Sequence, residues 1–401
     1  MSEHNPAFIN TTATSTVLGL PELMQLIGQH LSLSDLFSGV QVCSTWNNFL
    51  IPLLWQTIDT SRKGWLRIFN VHGMKDRASR EAIEQSVRLT LAKHGHHIRH
   101  LTTRWRVVLD TLSVNGECTK LCSLVVGDIK GANLGPSFTA DTAGTTTAIS
   151  TTTTALANVR LPWSTSESNS YDSSPAKVMR ERRVIKQFWT LVLQNPGLVR
   201  LCLPSLETMK TLSKDFILDI LKSLEHLRDL DLKGTRLNMW ALLSSLPKLE
   251  RLPVYHRDDL VSSRNTEERY TGLRSLNLVF YVQLSDVFKL LEYFPGVEEL
   301  RIGGVAGLGM KEVTVKEREL SLKALHVHHV AHYEDKNVAL LVSQCPRLVH
   351  FRTSEVLRAT RQALWETCYL LETLESVSSV YVSAWRQRRS DDARRRQEGS
   401  A

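Results

Sequence analysis

Two groups of histidines come closest to the spacing of a metal site in this chain. They are His94, His96, His97 and His100, and then His326, His328, His329 and His332. A zinc site needs four converging ligands, commonly including a thiolate or a carboxylate, and neither group has an established zinc spacing. We therefore predict no metal and interpret both groups as solvated histidines of strands and loops; zinc binding is the alternative.

A glycine-rich segment is the next candidate, because loops of this kind can hold phosphate groups. Residues 303–311 read GGVAGLGMK. A phosphate-binding loop requires Gly-Lys followed by Ser or Thr, whereas Met310 here separates Gly309 from Lys311. The chain also lacks the G-x-S-x-G, H-E-x-x-H and dinucleotide-binding patterns. We predict a flexible connecting loop at this segment, no catalytic residues and no cofactor, which indicates a protein that is not an enzyme.

The composition is that of a large globular chain. It has 401 residues, 49 Lys and Arg against 41 Asp and Glu, and 42% hydrophobic residues, which excludes collagen, a wholly disordered chain and a disulfide-stapled miniprotein. Neither a secretion signal nor a membrane-spanning segment is evident, so we expect the six cysteines to be reduced. We expect a cytoplasmic or nuclear protein that binds no membrane. Nucleic acid is not an expected partner, because the basic excess is spread over a long chain.

The pattern L-x-x-L-x-L, with other apolar residues allowed, recurs along the chain. Its copies begin at Ile98, Leu121, Leu198, Leu227, Leu249, Leu273, Val297, Leu322, Leu348 and Leu371. Consecutive copies start 22–29 residues apart, except between Leu121 and Leu198, and this period is typical of leucine-rich repeats. Each copy predicts a short strand whose leucines are buried only when neighbouring units stack.

Short amphipathic segments precede four of these strands, and each is followed by a proline. The segments are 186–193, 240–246, 287–294 and 338–343, and the prolines are Pro196, Pro247, Pro295 and Pro346. The apolar period predicts helices, which the prolines end because proline cannot donate the helical hydrogen bond. Regular repeats of this class carry Asn or Cys five residues after the second consensus leucine. This chain has Leu206, Thr235, Arg257, Tyr281, Val305, Val330 and Val356 there, so we expect an irregular solenoid.

Residues 1–60 differ from the rest of the chain, because they contain four acidic side chains and no Lys or Arg, while the whole chain has a net charge of +8. Three short helices are predicted over residues 18–58, with Ser34 as the expected cap of the second. A core of this size is below what is comfortably stable alone. We therefore expect the helices to complete their core against a partner.

The same segment resembles the F-box family. The family's LP-x-E-like start, its I/L series, its D-L turn, its V-C-x-x-W segment and its closing L-W all occur here in order. The resemblance implies that the segment binds a Skp-type adaptor and, through it, a cullin. By this resemblance the adaptor-binding residues are Leu20, Pro21, Glu22, Leu23, Ile27, Leu31, Leu36, Val40, Cys43, Trp46 and Trp55.

These observations predict an α/β protein with several segments. A three-helix F-box over residues 18–60 is followed by a helical linker over 61–96 and an irregular leucine-rich-repeat solenoid over 97–384. The solenoid is expected to be curved, with parallel strands on its concave face and helices outside. Residues 1–17, a Thr-rich insertion at about 131–175 and a basic tail over 385–401 are expected to be disordered.

Strand alternation places the residues between the consensus leucines on the concave face. The predicted substrate-binding residues on it are Arg251, Glu299, Arg301, His326 and Arg352. We expect Arg301 and Arg352 to anchor an acidic or phosphorylated segment of an unknown substrate protein, with protonation of His326 strengthening the contact. The alternative is that these residues are only the polar face that every such strand needs.

An F-box followed by leucine-rich repeats is a known architecture of substrate receptors in Skp–cullin–F-box ubiquitin ligases. The resemblance therefore implies a substrate-recognition subunit that brings a substrate protein close to the charged conjugating enzyme. The alternative is a leucine-rich-repeat interaction scaffold whose F-box is degenerate and which belongs to no ligase.

Overall fold

The computed structural model describes residues 20–69, 77–127, 175–203, 212–233, 235, 237–257, 269–306, 319–330, 334–376 and 387. Apart from Pro175 and Gln387, the three segments predicted to be disordered lie outside these ranges. The chain divides into two compact units, Met1–Leu212 and Ser213–Ala401. Both units combine helices with parallel strands, so the predicted α/β class is confirmed.

The first unit begins with three helices and continues with alternating strands and helices. Its elements are α1 (Pro21–His30), α2 (Leu33–Gly39), α3 (Ser44–Gln56), β1 (Thr57–Asp59), α4 (Lys63–Ile68), α5 (Arg77–His94), a 3₁₀ turn (Gly95–His97), β2 (His100–Thr103), α6 (Arg106–Asn115), β3 (Ser123–Val126), α7 (Pro175–Gln194) and β4 (Arg200–Leu203).

The four strands of the first unit lie side by side in chain order and are parallel. One buried residue from each strand stands at the same level of the sheet, and these are Ile58, Leu101, Leu124 and Leu201. Strand β1 was not predicted from the sequence, because it spans three residues and only Ile58 among them is buried. Strands β3 and β4 pair directly, although the Thr-rich insertion separates them in the chain.

The second unit repeats a strand and, in most cases, a helix. Its elements are α8 (Lys214–Lys222), β5 (Asp229–Leu232), α9 (Met239–Ser245), β6 (Arg251–Val254), β7 (Ser275–Gln283), α10 (Leu284–Tyr293), β8 (Glu299–Ala306), β9 (Ala324–His329), α11 (Asp335–Ser343), β10 (His350–Thr353), α12 (Arg358–Thr367) and β11 (Thr373–Ser376).

Strands β5 to β11 are also parallel and follow chain order. A continuous line of buried side chains crosses six of them, formed by Leu252, Leu276, Leu300, Leu325, Phe351 and Leu374. Each of these residues comes from a different repeat, so no single repeat could bury its own apolar side chain. Stacking of neighbouring repeats therefore forms the core of this unit.

All ten strands predicted from the sequence are present, and each begins two residues after the first apolar residue of its pattern copy. The four predicted helices correspond to α7, α9, α10 and α11, although the segments 240–246 and 287–294 extend one residue beyond α9 and α10. The observed helices end two or three residues before their prolines. The glycine-rich segment was placed wrongly as a loop at its start, because Gly303 and Gly304 belong to β8. Val305 and Ala306 of the segment also belong to β8, and residues 307–311 lie outside the described residues.

Two buried polar side chains join consecutive repeats. Asn195, which follows α7, accepts a hydrogen bond from the Leu121 N–H and donates to the carbonyls of Cys118 and Leu191, each at 2.8 Å. Asp335, at the start of α11, accepts from the backbone N–H groups at the start of α12. The asparagine that joins repeats thus stands five residues before a strand, not at the position where a regular ladder of asparagines would place it.

Candidate functional site

The face of α1 that carries its leucines and isoleucine is exposed. Leu20, Leu23, Leu26 and Ile27 have exposed fractions of 46%, 36%, 55% and 42%. Leu23, Leu26 and Ile27 are spaced i, i+3 and i+4, which places them on one side of a helix. Helix α1 thus presents apolar side chains to solvent, which is unusual for a helix that is not covered by a partner. We call these four residues the α1 apolar face.

The opposite side of α1 packs closely on α3. A Cβ atom added to Gly28 would lie 2.4 Å from Leu53 Cδ1 and 3.0 Å from Leu50 Cδ2, so glycine is what allows this approach. Met24 is buried on the same side of α1. The helix therefore packs Met24 and Gly28 against the core of the unit and leaves Leu23, Leu26 and Ile27 exposed.

Helix α2 adds two further exposed apolar side chains, Phe37 and Val42, the second of which lies just beyond the helix. Its N-terminus is capped by Ser32, whose side-chain oxygen accepts from the Asp35 N–H at 3.3 Å. The prediction that Ser34 caps this helix was wrong by two residues. The side-chain amide of Asn47 donates to the Val40 carbonyl at 2.9 Å and fixes the end of α2 against α3.

The residues predicted to contact an adaptor fall into three groups. Exposed residues are Leu20, Pro21, Glu22, Leu23, Ile27 and Cys43; half-buried residues are Leu31 and Trp46; buried residues are Leu36, Val40 and Trp55. The buried residues belong to the interior of the unit, so in this structure they support the surface without forming it. Leu26, Phe37 and Val42 were missed, although the i+3 relation of Leu26 to Leu23 could have indicated it.

Trp55 is the clearest case of such an interior residue. Its ring lies 5.3 Å from that of Trp65 and 6.1 Å from that of Phe69, and it stacks on His94 at 4.8 Å with an angle of 9°. Burial, with smaller effects from Lys93 and the neighbouring histidines, lowers the pKa of His94 to about 4. The neutral His94 imidazole therefore belongs to an aromatic cluster that packs α3 against α4 and α5.

A second arrangement of polar side chains lies on the strands of the other unit. Strand pairing places Asn277, Arg301, His326, Arg352 and Glu375 opposite one another on β7 to β11. They alternate along each strand with buried apolar residues, as expected for one face of a sheet. We call this set the charged row. It brings together three of the five predicted substrate-binding residues.

The other two predicted substrate-binding residues lie outside the charged row. Glu299 and Arg251 belong to the neighbouring level of the sheet, where Arg251 is opposite Ser275 and Ser275 is opposite Glu299. Arg251 lies 3.9 Å from the Asp229 carboxylate. The structure therefore does not bring Arg251 into the row that contains the other arginines.

Both arginines of the charged row have carboxylate partners. Arg301 donates from Nε and Nη2 to Glu299 Oε1 at 2.8 and 2.6 Å, and Ser275 donates to Glu299 Oε2 at 2.8 Å. Burial raises the pKa of Glu299, but these hydrogen bonds outweigh it and hold that pKa below its ordinary value. Arg352 lies 3.5 Å from Glu375, with both side chains about two-thirds exposed. The Arg301–Glu299 pair is thus held by short hydrogen bonds, whereas the Arg352–Glu375 pair is an exposed and longer contact.

His326 lies between the two arginines. Burial and the positive charge of Arg301 lower its pKa below the ordinary value, with a smaller contribution from Arg352 and opposing effects of Glu299 and Glu375. The imidazole is therefore neutral at neutral pH. Burial and the neighbouring cations both disfavour the charged form in the chain without a bound anion. That protonation of His326 strengthens an anion contact stays a prediction.

No protein-family profile matches this chain, and no curated protein matches it either. Within the described ranges, no three His, Cys, Asp or Glu side chains gather closely enough to hold a metal ion. In the same ranges, none of the helices has both the length and the apolar character needed to cross a bilayer.

Proposed function

We propose that this protein is a non-catalytic substrate-recognition subunit of a Skp–cullin–F-box ubiquitin ligase. In this proposal α1 to α3 bind the Skp-type adaptor, which connects the chain to a cullin, and the repeats hold a substrate protein. The contribution to ubiquitin transfer is proximity, because holding the substrate raises its local concentration near the charged conjugating enzyme.

The observation that carries this proposal is the α1 apolar face. Its four side chains are exposed on a helix whose other side is well packed. Burying a Leu or Ile side chain fully is worth roughly 1.5–3 kcal/mol, so covering the exposed part of these four side chains would contribute favourably to a complex. The residues lie in the segment whose sequence resembles an F-box, and they include Leu20, Leu23 and Ile27 from the predicted adaptor-binding set.

Charge supports the same assignment. The three helices carry no Lys or Arg, and their charged residues are Glu22 and Asp35. An interface built from these helices therefore depends on apolar burial more than on ion pairs, and its affinity should respond little to salt.

The experiment is co-purification of the adaptor with variants of the full chain. The double variant Leu23→Asp/Ile27→Asp places two charges on exposed positions of α1, so it should abolish adaptor binding without unfolding the protein. Leu89→Asp is the matched control, because Leu89 is also an exposed leucine on a helix of the same unit. Retained adaptor binding by the double variant would remove the proposed role of this face.

An interaction scaffold with a degenerate F-box is the competing function. It predicts that the wild-type chain recovers other proteins but neither adaptor nor cullin. Mass spectrometry of the purified complex separates the two functions directly.

A further inference from the structure

The charged row contains two cations on either side of a neutral imidazole. Neighbouring strands of a sheet lie about 4.8 Å apart, so the backbones that carry Arg301 and Arg352 are about 10 Å apart with His326 between them. Strand pairing sets Arg301 directly beside His326 on one side and Arg352 directly beside it on the other. An anionic group placed over His326 would therefore be within reach of both arginines.

The contact with Glu299 orients Arg301 before any ligand binds. Glu299 holds Arg301 through Nε and Nη2, while Ser275 holds Glu299 in turn. A guanidinium group has five N–H donors, so those on Nη1 and the second on Nη2 stay available on a side chain that is still 45% exposed. An arginine that is already oriented loses less conformational freedom when it binds an anion.

The resident carboxylates determine which anion can bind. A ligand carboxylate carries one charge and offers the arginines nothing that Glu299 and Glu375 do not already provide. A phosphate monoester carries about −1.5 to −2 charge and three strong acceptor oxygens, so it can bind both arginines at once. Arg–phosphate contacts are moreover often bidentate and stronger than neutral hydrogen bonds.

We propose that the charged row binds a phosphorylated serine or threonine of an extended peptide, with the phosphate over His326 and between Arg301 and Arg352. This assigns a substrate class to the repeats and rests on the proposed function only for the statement that the bound protein is a substrate. The binding itself needs no adaptor and can be measured on the isolated chain.

Charge balance adds a sequence preference. When Arg352 turns to the phosphate it leaves Glu375, which is 65% exposed and then lacks its cation. Glu375 lies on β11, two strands from His326, or about 10 Å. An extended peptide covers that distance in about three residues, so a Lys or Arg three residues from the phosphorylated residue would restore the pair.

The test is fluorescence anisotropy of the purified full chain with a labelled peptide that carries one phosphoserine and a lysine three residues away. The unphosphorylated peptide and a peptide with Glu in place of phosphoserine are run beside it. We expect the phosphorylated peptide to bind at least about tenfold more tightly than either. Arg301→Gln/Arg352→Gln should remove this difference, and Arg301→Lys/Arg352→Lys should keep part of it because charge remains but bidentate geometry is lost.

Arg228→Gln/Arg274→Gln is the matched control. It removes two exposed arginines that pair with Glu250 and Glu298 and that each stand one residue before a strand, outside the charged row. This control should bind the phosphorylated peptide like the wild type.

Equal binding of the three peptides, or equal loss in the control variant, would overturn the inference. Neither result bears on the α1 apolar face, since adaptor co-purification is measured separately. Conversely, a chain that binds the phosphopeptide but no adaptor would keep the charged row as a binding site and remove the ligase function.

Discussion

The side-chain oxygen of Asn195 accepts a hydrogen bond from the backbone N–H of Leu121 at 2.8 Å. These residues are far apart in the chain, because the Thr-rich insertion lies between them, but they belong to adjacent repeats. Asn195 is 1% exposed and also donates to two carbonyls. This contact explains how the repeats on either side of the insertion stay stacked.

Replacing Asn195 by Ala should therefore destabilise the first unit. The change leaves one backbone N–H and two carbonyls buried without these partners, and each such loss costs about 1–3 kcal/mol. Summed over the three groups, we expect a decrease of about 3 kcal/mol or more in the free energy of unfolding, measured by urea denaturation with a circular dichroism readout. Asn115→Ala is the control, since Asn115 is exposed, and it should change stability by less than about 0.5 kcal/mol. Equal stability of both variants would show that the hydrogen bonds of Asn195 do not stabilise the first unit.

Deleting residues 131–172 also tests whether the repeats that contain β3 and β4 stack without the Thr-rich insertion. Strands β3 and β4 pair directly through Ser123–Arg200 and Leu124–Leu201, and shortening a long connection changes the entropy of loop closure only slightly. We expect the melting temperature to change by no more than a few degrees. A large decrease would mean that the insertion contributes packing to the repeats beside it.

Asp335 should be as important to the last repeats as Asn195 is to the first ones. Its carboxylate accepts from the N–H groups of Ala359 and Thr360 at 2.7 and 2.9 Å and from the Thr360 hydroxyl at 2.6 Å. It thereby caps the N-terminus of α12 from the preceding repeat, where a negative charge is favourable. Asp335→Ala should cost about 2–4 kcal/mol of unfolding free energy.

The control for this variant is Asp219→Ala, since the Asp219 carboxylate is 72% exposed and pairs only across one helical turn with Lys222. Exposed pairs of this kind contribute about 0–1 kcal/mol. Similar losses in the two variants would contradict the proposed capping role of Asp335.

The pH dependence of stability should report on His94. Its pKa is about 4 in the folded chain and 6.5 as the reference value, so between these values the unfolded state binds the proton more readily than the folded state. The contribution of His94 to stability is therefore present above pH 6.5, decreases as the pH falls, and levels off below about 4. The unfolding free energy of His94→Gln should fall less steeply over this range than that of the wild type. Parallel curves would show that burial does not hold the His94 imidazole neutral in the folded chain.

The repeats could be predicted from the sequence because their apolar spacing is itself the physical cause of the fold. Leu276, Leu300 and Leu325 stand opposite one another on neighbouring strands and are all buried, so the period and the strand positions follow from the same residues. Strand β1 could not be predicted in this way, since Ile58 alone provides its apolar contact. Nor could the contacts of Asn195 and Asp335, because their partners lie in other repeats.

The site was only partly predictable for a similar reason. The alternation of the strands correctly placed Arg301, His326 and Arg352 on one face, but it could not show that Glu299 and Glu375 pair with the arginines. In the N-terminal helices the apolar pattern located the helices but did not separate exposed from buried apolar residues. The sequence does not distinguish Leu23, which is exposed, from Leu36, which is buried. In α1, the packing of α3 against Gly28 determines which side of the helix stays exposed.

The most direct test of the account is the affinity of the purified chain for a purified Skp-type adaptor, measured by isothermal titration calorimetry at about 0.05 and 0.5 M NaCl. We expect binding at both salt concentrations with dissociation constants that agree within about threefold, a negative heat capacity change from burial of apolar surface, and no binding by Leu23→Asp/Ile27→Asp. Absence of binding by the wild-type chain, or binding that the double variant retains, would contradict the claim that the α1 apolar face is an adaptor-docking surface.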